Sequence, residues 1–205
     1  MNRRTPRPRR KAIDFVSTRP LSGRHRVHLD ANAFMGLVLS SVETYHKECY
    51  GVLLGETRNG TTRVQGAVPY QTAHRTRSSV TVPEHRRQLV GRVLGTVSEP
   101  KYLGEFHSHV DLANIGASER LSTEDMLGVQ ANEIQILIAL RKSKLQRRWR
   151  HNLDGSISGT TGPFFVKLRA FESVPKEKGG ALPRVAALHC RYAVTTANRK
   201  AKSKL

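Results

Sequence analysis

Helical and strand-like periodicities alternate along this 205-residue chain. That alternation predicts an α+β sandwich, with helices packed on a mixed β-sheet. Two further observations support the assignment. Asn59-Gly60 and Asp154-Gly155 place turn chemistry between apolar runs. A chain of this length also buries one sizeable core, without room for a second full domain.

In residues 31–47, Phe34, Leu37, Val38, Ser41, Val42 and Tyr45 keep helical spacing, and Asp30 or Asn32 is placed to cap the helix. Residues 49–54 and 62–68 are predicted as strands joined through Asn59-Gly60 in a hairpin. Residues 83–97 read as a helix starting at Pro83, with Leu89, Val93 and Leu94 on one face. Tyr102, Leu103 and Phe106 then begin a strand over 103–109, and residues 110–117 form a loop with Asp111, Asn114 and Gly116. From Ser118 onward, Leu121, Met126, Leu127 and Val129 keep rough helical spacing. Residues 134–140 are a buried strand, and 164–171 form another after the Asp154-Gly155 turn. Residues 174–183, with Gly179-Gly180, read as a linker, and 184–194 fit either a helix or a strand. There are no internal repeats.

The net charge is +19, from 35 Lys and Arg against 16 Asp and Glu. It is uneven: residues 1–12 hold six basic residues, 141–150 another six and 195–205 four, with no acid in any of the three. The terminal runs are expected to be disordered tails, so the organisation is a basic tail over 1–26, a domain over 27–173, the linker, and a C-terminal segment over 184–205. The run 141–150 follows a strand and carries Trp149. It offers contacts to phosphate backbones with Trp149 as a stacking face, or to an acidic protein; alternatively it is a solvated loop whose tryptophan folds back on the core.

No apolar run approaches the ~20 residues of a membrane span. Asp14 and Arg19 interrupt the only candidate secretory segment. The two cysteines make no disulfide framework and fit a reducing compartment, so the expected location is cytoplasmic. Cys49 and Cys190 lie among apolar residues and read as core rather than as nucleophiles. Arginines flank His25 and His28, which suits a solvated strand end, while His74, His85 and His151 read as surface residues.

The chemistry concentrates in Gly104-Glu105-Phe106-His107-Ser108-His109 and Ser122-Thr123-Glu124-Asp125. On a strand, His107 and His109 point to the same face. On a helix, Ser122 and Asp125 lie on one side. Two neutral imidazoles and one carboxylate supply the three protein ligands of a catalytic zinc, leaving the fourth position to water. Asp125 is the carboxylate best placed, with Asp111 as its rival. Ser122 also has the chemistry of a helix cap, a role Ser118 fills equally well. His107-Ser108-His109-Val110-Asp111 begins a metallo-β-lactamase-like signature, but Leu112 stands where its next histidine is required.

These residues resemble the JAMM (MPN-plus) metallopeptidase family, whose pattern is a distant glutamate, His-x-His and Ser-x-x-Asp. The family's glutamate precedes an apolar strand framed by two glycines, and Glu48-Cys49-Tyr50-Gly51-Val52-Leu53-Leu54-Gly55 fits that form. The resemblance runs from the helix near residue 30 to about residue 172. Val110 stands where the family usually has proline, and the interval from His109 to Ser122 is longer than in typical members, a mild change because loop-closure entropy grows only logarithmically. The resemblance implies an α/β/α sandwich of cytidine-deaminase-like MPN fold with a curved, mixed sheet. It implies one zinc ion held by His107, His109 and Asp125, with Glu48 as general base and Ser122 donating to the oxyanion. The reaction implied is amide hydrolysis, at a protein or peptide substrate such as a ubiquitin-like or sulfur-carrier protein. The alternative is a catalytically silent scaffold or interaction module docking on nucleic acid through its basic segments.

Overall fold

The structure is a computed structural model that describes residues 25–97, 99–111, 116–127, 129–177 and 179–198. The expected basic tails lie outside the described residues, except for residues 25–26 and 195–198, which belong to the fold. Strand β1 (Arg26–Leu29) alternates exposed and buried side chains, and helix α1 (Ala31–Glu43) follows it at once. α1 buries Ala33, Phe34, Leu37 and Val38, one apolar stripe at helical spacing. Asp30 makes no side-chain cap; its carboxylate accepts from Arg63 Nε at 3.0 Å. β2 (Tyr50–Arg58) and β3 (Thr61–Pro69) form the expected hairpin. Asn59 and Gly60 have φ of 49° and 69°, the left-handed pair that a two-residue hairpin turn requires.

A two-stranded hairpin of β4 (His74–Arg75) and β5 (Val80–Thr81) leads into α2 (Glu84–Val97). Then come β6 (Lys101–Val110), the short α3 (Thr123–Leu127) and β7 (Ile134–Lys142). β8 (Arg150–His151), β9 (Ile157–Thr161), β10 (Phe164–Pro175) and β11 (Ala181–His189) follow, and a π-helical turn spans Ala193–Ala197.

The strands are hydrogen-bonded in the order β11-β1-β3-β2-β6-β7-β10, and β10 pairs back onto β11. The ring is therefore a closed seven-stranded barrel, and only 23% of the described residues are helical. This corrects the expected α/β/α sandwich of cytidine-deaminase-like MPN fold. The physical reason is twofold. The helices are too few to layer both faces of an open sheet. The long β10 pairs with β7 on one edge and divides the other, its first half pairing with β9 and its second half with β11. β1 then joins β11 and β3, in parallel with both, and removes the last edge.

Three other expectations change. Residues 174–183 are no linker, because Val174 pairs with Leu182 and Pro175 with Ala181 around a turn in which Gly179 and Gly180 have φ of 83° and 79°. The undecided stretch 184–194 is mostly strand β11, so the barrel extends past residue 173. In α2, Leu89 and Val93 are exposed, while Val90 and Leu94 pack towards Val52, Leu54 and Tyr70. The main core fills the ring with Val27, Leu53, Val64, Phe106, Ile136, Ile138, Leu140 and Leu168 around the α1 stripe. Since Phe106 and Ser108 are fully buried in the wall, the alternate positions on β6 face outward.

Candidate metal centre

β6 lies between β2, antiparallel, and β7, parallel. At Gly104, φ is 141° and an added Cβ would overlap the Ile134 carbonyl, so only glycine lets β6 lie flush against the start of β7. At Gly51 a Cβ would overlap the Phe106 ring and the Val68 carbonyl, which explains the glycine of the apolar frame by close packing. Ser108, between the two histidines, donates its N–H to the Cys49 carbonyl at 2.9 Å and accepts the Cys49 N–H on Oγ at 2.8 Å. Those two bonds fix residue 49 beside the histidines, and Glu48 N–H donates to the Thr76 carbonyl at 2.9 Å. The glutamate thereby enters the same cavity as the imidazoles.

His107, His109 and Asp125 converge: one ligand atom from each lies within 4.8 Å of the others. His107 Nε2 is 3.3 Å and His109 Nε2 3.4 Å from Asp125 Oδ2. His107 Nε2 is buried and makes no hydrogen bond of good geometry, so its approach to Asp125 is a contact of position rather than a satisfied bond. His109 Nδ1 lies 3.1 Å from the Ser118 carbonyl, which can only accept. The proton therefore sits on Nδ1, and the Nε2 lone pair faces the cluster, the orientation a metal-binding histidine needs.

Electrostatics divides the acids of this cavity. Burial raises the Glu48 pKa, the charge of Asp125 adds to the rise, and the two imidazoles oppose it. Burial also opposes the charge on Asp125, but the imidazoles and the Ser122 N–H outweigh it and hold that carboxyl far below the usual range. Burial lowers the His109 pKa, and Asp125, Glu48 and the Ser118 carbonyl reverse the shift and raise it. Two carboxyls in one cavity are thus driven apart, one towards holding a proton and one towards permanent ionisation.

Ser122 and Asp125 cap α3 reciprocally. Ser122 Oγ accepts the Asp125 N–H at 3.0 Å, and Asp125 Oδ2 accepts the Ser122 N–H at 2.6 Å. The cap belongs to Ser122 and not to Ser118, whose carbonyl holds His109 and whose hydroxyl donates to the Arg120 carbonyl. The helix begins at Thr123 rather than near Ser118. Capping uses an acceptor lone pair of Ser122 and leaves its O–H proton for another partner. Asp111, the rival ligand, accepts the Gly116 N–H at 2.8 Å and is outside the cluster.

Residues not singled out in the sequence complete the cavity, whose volume is about 760 Å³. Tyr50, Arg87, Glu105 and Gln135 line it, together with residues 77–82. Arg87 Nη2 donates to Tyr50 Oη at 2.6 Å and also to Glu105, tying α2 to the barrel wall. Period-two spacing was the available signal, because Glu105, His107 and His109 share one face of β6. Trp149 is not a stacking face. It is 5% exposed and packs edge-on against Phe34, with ring centroids 4.8 Å apart. Burial pushes the Cys49 thiol up to about 11, which removes it as a nucleophile.

No protein-family model matches this chain, and no curated protein matches it. Among solved structures it is similar to protein DSY2949 from Desulfitobacterium hafniense, determined in solution. The TM-score is 0.55 and the identity 12%, covering 84% of this chain and 97% of that one. At that identity the likeness concerns the fold alone. Among the described residues, no helix is long and apolar enough to cross a membrane.

Proposed function

We propose that the chain is a zinc-dependent peptidase with the JAMM set of site residues, carried on a closed barrel. The observation that carries this reading is the convergence of His107, His109 and Asp125 within 4.8 Å, with the buried His107 Nε2 lacking a hydrogen-bond partner. A buried polar atom is normally satisfied, and a cation at that point satisfies it. Two imidazole nitrogens with one carboxylate oxygen suit zinc, and the hydrogen bond from His109 Nδ1 supplies the outer support such ligands need. Bound there, zinc supplies Lewis acidity that lowers the pKa of water and polarises a carbonyl.

The chain's own groups do the rest. Glu48, raised by burial, accepts a proton from the attacking water and passes it to the leaving amine. Ser122, fixed at the start of α3, donates its O–H to the developing oxyanion. Asp125 stays ionised as the carboxylate ligand, and the Ser118 carbonyl orients the His109 ring. The substrate class is a protein or peptide amide, at a lysine isopeptide or at the tail of a ubiquitin-like or sulfur-carrier protein. The compartment proposed is the cytoplasm, supported by two buried free cysteines.

The test joins elemental analysis of purified protein to a panel of ubiquitin-like fusions. One equivalent of zinc and one cleaved fusion support the reading. Protein that cleaves a fusion at an unchanged rate after chelation defeats it. Full metal occupancy with no fusion cleaved moves the reading to the silent scaffold.

A further inference from the structure

The outer wall that carries the histidines continues away from the cavity into a basic stretch, with Asp111 beside it at the end of β6 and the Glu119 and Asp154 carboxylates held by Lys167 on β10. His109 pairs with Ala139 on β7, and Arg141 lies two residues further along the same face. Arg141 pairs with Phe165 on β10, and Phe165 pairs with Thr160 on β9. Arg147 joins this row: its N–H donates to Thr160 Oγ1 at 2.8 Å, and its carbonyl accepts the Thr160 N–H at 2.9 Å. The guanidinium carbons of Arg141 and Arg147 lie 4.7 and 5.5 Å from the centre of the Phe165 ring. Lys142 alternates to the other face of β7, its ammonium 5.9 Å from the centre of the Tyr45 ring, whereas Lys144, Arg148 and Arg150 are exposed.

The ledge is tied to the barrel at Trp149. Between the exposed Arg148 and Arg150, the buried Trp149 donates its N–H to Asn198 Oδ1 at 2.7 Å and accepts from Asn198 Nδ2 at 2.9 Å. Residues 134–153 contain no Asp or Glu. Among the described residues, Arg58, Arg63, Arg87, Lys167 and Arg169 form ion pairs, and no cation of the ledge is among them. Arg141, Lys144, Arg147, Arg148 and Arg150 crowd positive charge along this stretch without an ion pair among the described residues, and a polyanion relieves the repulsion between them.

We propose that Arg141, Lys144, Arg147, Arg148 and Arg150 form a phosphate-binding ledge for nucleic acid, leading to the mouth of the cavity. A protein partner is the weaker fit, because protein interfaces need an apolar centre. Exposed apolar side chains gather instead on α2, at Leu89, Val93 and Val97, whereas the ledge has Leu145. Nucleic-acid interfaces are polar and strongly positive. Recognition is through the backbone and independent of sequence. Phe165 already has guanidinium groups against it, and Gln146 is occupied by Thr160 and Gly162. The proposal stands without the zinc reading.

The test uses the full chain and labelled DNA of mixed sequence, about 30 nucleotides long, single-stranded and duplex, with anisotropy read between about 50 and about 200 mM salt. Arg141→Ala with Arg147→Ala and Arg148→Ala should weaken binding at least about tenfold and flatten the log–log salt slope by about 2 to 3. Lys144→Glu with Arg148→Glu reverses charge at two exposed positions that support no packing, and should weaken binding as much while leaving the melting temperature unchanged. Affinity and slope unchanged in both variants would overturn the proposal. So would competition by polyglutamate as effective, charge for charge, as by DNA, which would assign the ledge to an acidic protein.

Discussion

Two groups of histidines sit on the barrel at similar ring spacing and in opposite surroundings. His107 and His109 have ring centroids 5.0 Å apart. At the seam between β1 and β11, His28 stacks on His189 at 5.2 Å, and His151 approaches His189 at 5.3 Å. A carboxylate oxygen stands between the first pair, and the His109 pKa is raised against burial. At the seam, burial lowers the pKa of His151 and His189; His28 lowers both, and for His189 the neighbouring His151 and Arg26 add to it. His151 Nε2 already accepts the Cys190 N–H at 3.1 Å. Closely spaced rings therefore do not define a cation site. What defines it is an acid among them and nitrogen lone pairs left without another use.

The comparison breaks most readily at the metal. Asp125→Ala should reduce bound zinc from one equivalent to nearly none and abolish hydrolysis, while His189→Gln leaves both unchanged. Equal loss in the two variants, by elemental analysis, would mean that the seam holds the ion. Glu48→Gln should keep the zinc and lower kcat by roughly 10²- to 10⁴-fold, the usual worth of a positioned proton-transfer group. Zinc loss in that variant would make Glu48 a ligand.

A smaller effect separates the groups by pH. At the seam burial holds the folded pKa of His151 and His189 below that of an ordinary histidine. The unfolded chain therefore takes up protons first, and stability falls as pH drops through about 6.5 until the folded rings also protonate. Melting temperature should decline from pH 7.5 to 5.5, and His189→Gln should flatten that decline. An unchanged slope would show that the rings do not govern it. The smallest effect is Ser122→Ala. Losing the reciprocal cap should cost about 1 kcal/mol in a denaturant melt. Ser122→Thr should restore that stability, and kcat measured in both variants separates capping from oxyanion donation.

Much of the site was legible and much of the barrel was not, for different physical reasons. The histidines alternate on a strand and Ser122 and Asp125 are three apart, so short-range geometry aligns each pair. Joining the two pairs needed only one loop. Barrel closure depends on β1 and β11, whose pairing partners Val27 and Leu188 lie far apart in sequence with no local signal between them. β1 has four residues, and β11 contains three alanines and a proline, which weakens its strand periodicity. β9 was missed because Ile157-Ser158-Gly159-Thr160-Thr161 has little apolar alternation, although Gly159 is what makes room for the Trp149 ring. The helical stripe of α2 was readable, but not which side of it would meet the wall.

The pairing of Val27 with Leu188 has a temporal consequence. During synthesis the chain emerges from its N-terminus, so β1 is present while its partner has yet to be made. Strand β6, with His107 and His109, and β2, which Glu48 precedes, can dock as soon as β7 appears. The circle itself waits until β11 (Ala181–His189) has left the ribosome. A stalled or truncated product ending before Ala181 would therefore carry every proposed ligand and still expose raw strand edges, a species prone to join its own kind.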